Sequence, residues 1–263
     1  MIRGMVKESL VERARELWRE LARGPVGFGA DGSVSLVVSP ESALCPRGWT
    51  GIVRIGDAAI ASVPDDAQAA AARAAFARLP LADLLDPARL AEVLPLAEAL
   101  GPAALAYLSA EEFRPAKASE ANAIGDVEPL PADHADVVGL GFAAGEQDAN
   151  EASLDGITSP AFVVRAPDGS ALAAAGYRLW PGRTAHISVL THPAWRSRGL
   201  AKITGSAAAR HALEAGLLPQ WRARVPASRR AAVSLGFREL GAQLSIRVQD
   251  PVQHLGSAVG NED

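Results

Sequence analysis

Apolar runs separated by polar turn residues dominate the second half of the chain. Runs of this length, bounded by glycine, proline and aspartate, predict strands, and longer stretches with helical spacing predict the connecting helices. The predicted strands are 124–130, 161–166, 171–180, 184–191, 217–225 and 241–248. Three helices are predicted: one that starts at residue 131, one over about 199–215, and a short one that ends at residue 236. Strands interleaved with helices in this way predict an α/β fold with a mixed sheet.

The first half mixes the two patterns. An amphipathic helix is predicted over about 5–23, where Gly24 and Pro25 would end it. Strands are predicted at 33–39, 50–64 (as a pair) and 103–109, and helices at 65–79 and 86–101, the second bent at Pro95. Segment 111–123 is polar and shows no clear periodicity. We therefore predict an N-terminal α/β domain at 1–118, a second domain at 119–250 and a flexible tail at 251–263.

Composition and charge exclude only a few classes of function. The chain has 263 residues, 49% hydrophobic and 21% charged, which is enough for a sizeable core in one or two domains. A net charge of −4 gives no reason to expect a nucleic-acid or anionic-membrane partner. No apolar stretch is long enough to span a bilayer, and the N-terminal pattern is not that of a signal peptide, so a cytoplasmic protein is expected. Cys45, the single cysteine, is expected to be a free thiol, and no metal site is predicted.

One stretch, residues 188–216, carries candidate chemistry. An apolar run ends at Thr191, and Arg196, Arg198 and Gly199 follow where a long alanine-rich helix must begin. The first N–H groups of a helix lack intrahelical partners and bind anions, a glycine lets phosphates approach the backbone, and a guanidinium can hold phosphate through two hydrogen bonds. This arrangement suits a diphosphate. The alternative is an ordinary helix start with solvated arginines, since neither G-x-x-x-x-G-K-[ST] nor G-x-G-x-x-G occurs.

The hexapeptide at 196–201, Arg-Ser-Arg-Gly-Leu-Ala, resembles the Q/R-x-x-G-x-G/A signature of the GCN5-related N-acetyltransferases (GNAT superfamily). The following segment, 217–237, resembles the next strand, short helix and Gly-Phe ending of that family. The resemblance extends over about 124–248 and is strongest over 185–237. The Leu-Pro-Gln-Trp start of the later strand is similar to a subgroup with an extra N-terminal domain.

The resemblance implies a GNAT fold in the C-terminal half, acetyl-CoA as co-substrate and an amine as acceptor. The coenzyme's pyrophosphate would lie on the N–H groups of 197–202, and its pantetheine arm would follow the strand that ends at Thr191. Strands 184–191 and 217–225 would splay apart to admit the thioester. The implied coenzyme contacts are Val189, Leu190, Thr191, Arg196, Ser197, Arg198, Gly199, Leu200, Ala201, Lys202 and Ser228.

The sequence departs from the family where the reaction's acid is often found. Val225 stands at the asparagine position of the family's later motif and Ala232 at the tyrosine position, while Ser228 fits the pattern. Two interpretations stay open. In one, the chain is an N-acetyltransferase in which Ser228, water or the substrate ammonium protonates the leaving thiolate. In the other, it is a non-catalytic acyl-CoA-binding sensor or regulatory module.

Candidates for the base are His186, in the strand beside the expected cleft, and Glu146 and Glu151 in an acidic segment. Because side chains alternate along a strand, His186 would share a face with Ser188 and Leu190. The alternatives are a structural histidine and a solvated acidic helix face. The acceptor stays open between a small molecule and a peptide or protein amine. The N-terminal domain could be a substrate lid, a relic or the contact of a homodimer.

Overall fold

The computed structural model describes residues 9–116 and 126–249. They form two compact units. Of the described residues, the large unit contains 9–20 and those within 103–242, and the small unit contains Leu21–Pro102 and 243–249. The predicted linker near residue 118 and the predicted tail at 251–263 lie outside the described residues. The domain boundaries at 118/119 and 250/251 stay a prediction.

The small unit has strands and helices in nearly the predicted order. Its elements are β1 (Val34–Val38), β2 (Thr50–Ile55), β3 (Ala58–Val63), α2 (Asp66–Phe76), α3 (Pro87–Ala91) and parts of β4 (Leu96–Tyr107) and β10 (Arg238–Val248). Their sheet order is β1-β3-β2-β10-β4, with β1 parallel to β3 and β2 antiparallel to it. Asp65 caps α2 by accepting the N–H of Gln68 at 2.8 Å. Cys45 is a free thiol, and burial raises its pKa to about 11.

One prediction in this unit is wrong. The helix expected over 86–101 ends at Ala91, and β4 begins at Leu96, directly after Pro95. Proline cannot continue the hydrogen bonding of a helix. The strand conformation instead lets this segment join β10, where Arg247 forms an ion pair with Glu98 at 2.6 Å. The following prediction, strand at 103–109, is met by the second part of β4.

The large unit is a mixed sheet with helices on both faces. Its elements are α1 (Leu10–Ala22, up to Glu20), β5 (Glu128–Leu130), α4 (Ala135–Ala144), α5 (Glu146–Ala152), β6 (Ala161–Arg165), β7 (Ala171–Trp180), β8 (Thr184–Thr191), α6 (Leu200–Glu214), β9 (Leu218–Ala223) and α7 (Pro226–Ser234), together with the second part of β4 and the first part of β10. The sheet order from β4 is β4-β9-β8-β7-β6-β5. Neighbours are antiparallel except β8 and β9, which are parallel. The predicted α/β class with a mixed sheet is confirmed.

Alternate residues of β8 serve two different cores. Ile187 and Val189 face α6, where they pack with Trp221 and the small residues of that helix. Leu190 faces the other way and packs with Leu140 of α4. In the middle of α6, Gly205 leaves no room for a side chain, because a Cβ there would lie 2.8 Å from the Trp221 ring. No helix among the described residues is both long and apolar enough to cross a membrane.

Candidate active site

Strands β8 and β9 separate halfway along their length. Their parallel pairing runs from Thr184 and Leu218 to Ile187 and Trp221, and goes no further. Strand β8 nevertheless continues to Thr191 and keeps its pairing with β7 over that whole length. The edge of β8 from residue 188 to 191 therefore faces a gap rather than a neighbouring strand. The gap corresponds to the splay that the family resemblance implied.

The direction of the backbone groups along this edge follows from one hydrogen bond. The N–H of His192 donates to the carbonyl of Leu172 at 2.8 Å, on the β7 side. Because successive N–H groups of a strand point to opposite neighbours, Leu190 also donates towards β7, and Val189 and Thr191 present their N–H groups to the gap. The Thr191 hydroxyl is buried and has no hydrogen-bond partner within residues 9–116 and 126–249. The gap edge thus offers backbone donors and one side-chain oxygen.

The arginine–glycine turn lies immediately after this edge. Ser197 and Gly199 both adopt the left-handed conformation, with φ of 62° and 78°, and α6 begins at Leu200. The first N–H groups of α6, including those of Leu200 and Ala201, have no acceptor in the preceding turn of helix. The positive end of the helix dipole therefore lies directly beyond the last residues of β8. Lys202 follows in the first turn of the same helix.

The two arginines of the turn already have protein contacts. Arg196 forms an ion pair with Asp148 of α5, and both side chains are about half exposed. The Arg198 guanidinium lies over the Trp195 ring, 4.6 Å from its centroid. Each contact restrains a cation beside the start of α6 without burying it. A diphosphate at this helix terminus would meet both charges.

His186 lies on β8 within the paired region, just before the gap. Its ring stacks on Trp180, with centroids 4.0 Å apart and planes 9° from parallel. Nδ1 forms a hydrogen bond with the Gln220 side chain. Burial, and then the positive charge of Arg222, lower the pKa of His186 to about 4. The imidazole is therefore neutral near pH 7 and a weak base.

A polar contact connects this region with α1. Gln220 stands opposite both His186 and Tyr107 in the sheet register. The Tyr107 hydroxyl accepts a hydrogen bond from Nε1 of Trp18 at 2.6 Å. Since Trp18 also meets Trp180 edge to face at 6.2 Å, aromatic packing from α1 supports the stack that carries His186. These partners come from distant segments of the chain, so no local pattern in the sequence predicts them.

The remaining candidate catalytic residues have different environments. Ser228 of α7 accepts a hydrogen bond from Nε1 of Trp221 at 2.9 Å, so its own O–H remains available as a donor. Ala232, at the family's tyrosine position, is buried. Glu151 forms an ion pair with Arg224, the residue after β9. Glu146 is exposed in the first turn of α5.

Comparison with known proteins identifies the segment that contains this site. Residues 170–242 match the family model described as GNAT acetyltransferase. The match runs from β7 into β10 and includes the gap, the arginine–glycine turn and α7. The predicted resemblance to the GNAT family is therefore confirmed over these residues. A search of curated proteins found no significant match.

Solved structures resemble the chain more distantly. A putative GNAT-family acetyltransferase of Novosphingobium aromaticivorans is 20% identical to this chain, with a TM-score of 0.44. The aligned region covers 57% of this chain and 65% of that protein. A GNAT-family acetyltransferase of Colwellia psychrerythraea is 16% identical over 64% of this chain and 63% of that protein, with a TM-score of 0.44. A tandem GNAT protein of the clavulanic acid biosynthesis pathway is 12% identical over 77% of this chain and 65% of that protein, with a TM-score of 0.43. The chain thus spans less than two thirds of each, and such distant similarity transfers no site residue.

Proposed function

We propose that this chain transfers an acetyl group from acetyl-CoA to a primary amine of a small molecule, peptide or protein. The observation that carries the proposal is the gap between β8 and β9. It is bordered by the N–H groups of Val189 and Thr191 and leads to the N-terminus of α6. The match to a GNAT acetyltransferase model over the same residues supports it.

The residues around the gap fit the chemical groups of this co-substrate, which supplies the acetyl group as an activated thioester. The amides of its pantetheine arm could pair with the exposed edge of β8, as a neighbouring strand would. The hydroxyl of Thr191 is buried and has no partner in the part of the chain that the structure describes, which supports a ligand at this edge, because buried polar atoms normally find a hydrogen-bond partner. The diphosphate would receive the first N–H groups of α6 and the charges of Arg196 and Arg198.

In this proposal, the chain's own groups have separate tasks. The N–H of Val189 would donate to the thioester carbonyl oxygen as negative charge develops there. His186 would receive the amine's proton, directly or through water. Its low pKa makes it a weak base, so Glu146 through water is a second candidate. The Ser228 hydroxyl would donate its proton to the leaving sulfur. Holding the two reactants together would provide much of the rate.

A non-catalytic acyl-CoA sensor is the second candidate function. It is favoured by Ala232, because a buried methyl group stands where many family members have the tyrosine that protonates the thiolate. A sensor would keep the coenzyme contacts and lack turnover. The two functions therefore predict the same binding and differ only in chemistry.

The first test is calorimetric titration with acetyl-CoA of the wild type, Arg198→Glu, and Arg198→Glu with Gly199→Asp. Losing a charge-assisted contact costs about 1.5–3 kcal/mol, so Arg198→Glu should weaken binding by at least about tenfold. Arg210→Glu reverses a charge on an exposed residue further along the same helix and should bind normally. Circular dichroism would confirm that each variant is folded.

The results separate the possibilities. Unchanged affinity in the turn variants would refute the proposed donor site. Binding followed by release of free coenzyme A thiol with an amine panel would support acetyl transfer. Binding without turnover for any amine would support the sensor.

A further inference from the structure

Gln220 is a polar residue in the interior of the sheet. It is the third residue of the Leu-Pro-Gln-Trp stretch with which β9 begins, and it is completely buried. Burying an amide group costs free energy unless the group forms hydrogen bonds. An apolar side chain of similar size would occupy the same place without that cost. The contacts of Gln220 therefore indicate its role.

The carbonyl group of the Gln220 side chain contacts the imidazole of His186. The two residues stand opposite each other in the parallel pairing of β8 and β9, and Oε1 of Gln220 forms a hydrogen bond with Nδ1 of His186. A carbonyl oxygen can only accept a hydrogen bond. Nδ1 therefore carries the proton of the neutral ring, and Nε2 keeps a free electron pair.

Nε2 is the ring nitrogen that is left for a substrate. It has no hydrogen-bond partner among the residues that the structure describes, and His186 is only partly buried. His186 also shares its sheet face with Ser188, the first residue of β8 beside the gap. The nitrogen with the free electron pair is therefore the one that can take a proton from an amine at the gap.

Aromatic packing restrains the ring without choosing its tautomer. Trp180 stacks on His186 at 4.0 Å, and Trp18 meets Trp180 edge to face at 6.2 Å. These contacts hold the plane of the imidazole. A ring stacked face to face presents the same surface to its neighbour whichever nitrogen carries the proton. The hydrogen bond to Gln220 is the contact that distinguishes the two tautomers.

The orientation of the Gln220 amide decides which tautomer is present. In the observed orientation, the carbonyl oxygen accepts from His186, and the buried amide nitrogen has no hydrogen-bond partner within residues 9–116 and 126–249. The opposite orientation would direct an N–H donor at Nδ1 and would place the ring proton on Nε2, where it prevents proton uptake. The site of the proton on the ring therefore reports the orientation of the amide.

The charges around His186 determine how readily Nε2 takes a proton. Burial is the largest cause of the low pKa of His186, and the positive charges of Arg222 and, more weakly, Arg178 lower it further. Asp155, in the turn beside Arg178, adds a negative charge on that side. Tyr107 of β4 is neutral, because burial raises its pKa. The neutral carbonyl partner adds no charge, whereas a carboxylate in its place would raise the pKa of His186.

We propose that Gln220 is a positioning residue, which holds His186 in the tautomer whose Nε2 is free to take the proton of the acceptor amine; this rests on the proposed acetyl transfer. The ammonium proton moves to Nε2 and from there to solvent, while the Nδ1 proton stays on the Gln220 carbonyl. The amine nitrogen then bonds to the acetyl carbon and the carbon–sulfur bond breaks. A second nitrogen proton ends on the sulfur, which gives the N-acetylated amine and the free thiol.

Nitrogen NMR of the protein labelled at its histidines tests the tautomer without turnover. Correlations between ring nitrogens and ring hydrogens distinguish a protonated nitrogen from an unprotonated one, and His186→Gln identifies the signals of His186. Near pH 7, the wild type should show a protonated Nδ1 and an unprotonated Nε2. Gln220→Leu removes the acceptor and should shift the proton towards Nε2. Gln220→Glu should keep the proton on Nδ1 and raise the pKa of His186 by at least one unit.

Kinetic measurements connect the tautomer with the reaction. General base catalysis contributes about 10²–10⁴-fold, so Gln220→Leu should lower kcat at least tenfold while changing the KM for acetyl-CoA less than threefold. Gln220→Glu should retain activity and move the acid limb of the pH profile of kcat upward by at least one unit. Gln243→Leu is the matched control, because Gln243 is a second buried glutamine, bonded to the Leu44 carbonyl in the small unit. It should lower stability and leave the tautomer and kcat unchanged.

Three outcomes would overturn the inference while leaving acetyl transfer intact. These are a wild-type ring protonated on Nε2, a tautomer that Gln220→Leu leaves unchanged, and an equal loss of kcat in Gln220→Leu and Gln243→Leu. If Gln220→Leu does not fold, Gln220→Glu decides, and an unshifted pKa of His186 overturns the inference. If no amine reacts, the proposed acetyl transfer fails by itself. The NMR comparisons then still decide whether Gln220 holds the tautomer of His186.

Discussion

Replacing Asp148 with asparagine should tighten the binding of acetyl-CoA. Asp148 holds Arg196 in an ion pair beside the N-terminus of α6, where the diphosphate is proposed to bind. A phosphate that takes Arg196 as its partner must first displace this carboxylate. The carboxylate also repels the incoming anion. Removing it therefore benefits the complex more than the free protein.

The size of the effect follows from the exposure of the pair. The side chains of Arg196 and Asp148 are 49% and 43% exposed, so solvent screens their interaction. Ion pairs of this kind contribute about 0.2–1 kcal/mol, which corresponds to a gain in affinity of up to about fivefold. Repulsion between Asp148 and the diphosphate acts within the Debye length of about 8 Å at physiological salt and adds to the gain. We expect binding to be about two- to tenfold tighter.

Calorimetric titration at low and high salt measures this directly. The gain should be largest at about 0.05 M salt and shrink towards 0.5 M, because both contributions are screened. Asp155→Asn removes the same charge from a residue that is not the partner of Arg196, and it should change the affinity less. Unchanged or weaker binding by Asp148→Asn at low salt would show that Arg196 does not exchange Asp148 for phosphate.

Two further predictions concern Gly205 and His186. Alanine in a helix interior is favoured over glycine by about 1 kcal/mol, but overpacking a core costs about 1–3 kcal/mol. Gly205→Ala, whose Cβ would lie 2.8 Å from the Trp221 ring, should therefore lower the urea midpoint of unfolding. Gly139→Ala has open space around its Cβ and should raise that midpoint. Similar stabilisation by both substitutions would contradict the described packing. The pKa of His186 is about 4 in the folded protein against an ordinary 6.5, so the unfolded chain binds more protons between these values. Stability should fall as pH drops through this window and fall less in His186→Gln; equal pH dependence of the two unfolding free energies would refute the burial of this imidazole.

Local signals in the sequence determined much of the domain that matches the family model. The turn residues between 166 and 184 bounded β7 and β8 correctly, and the helix predicted from about residue 199 begins at Leu200. Turn and helix-start preferences act over a few residues, so they can be interpreted from a single sequence. The same local information failed at 96–101, where a short apolar pattern fits either helix or strand. The choice there was made by β10, which brings Arg247 to Glu98 across 149 positions.

Only the tertiary structure decided how the candidate site is assembled. Sequence alternation placed His186, Ser188 and Leu190 on one face, but not opposite Gln220 or beside Arg178 and Arg222. Those relations depend on the register of β7, β8 and β9. The gap opens because the pairing of β8 with β9 ends at Ile187 and Trp221. Register is set by packing and hydrogen bonding between segments distant in the chain, and no local propensity encodes it. The arginine–glycine turn was therefore predictable from its residues, whereas the gap between β8 and β9 and the surroundings of His186 arose from the pairing of strands.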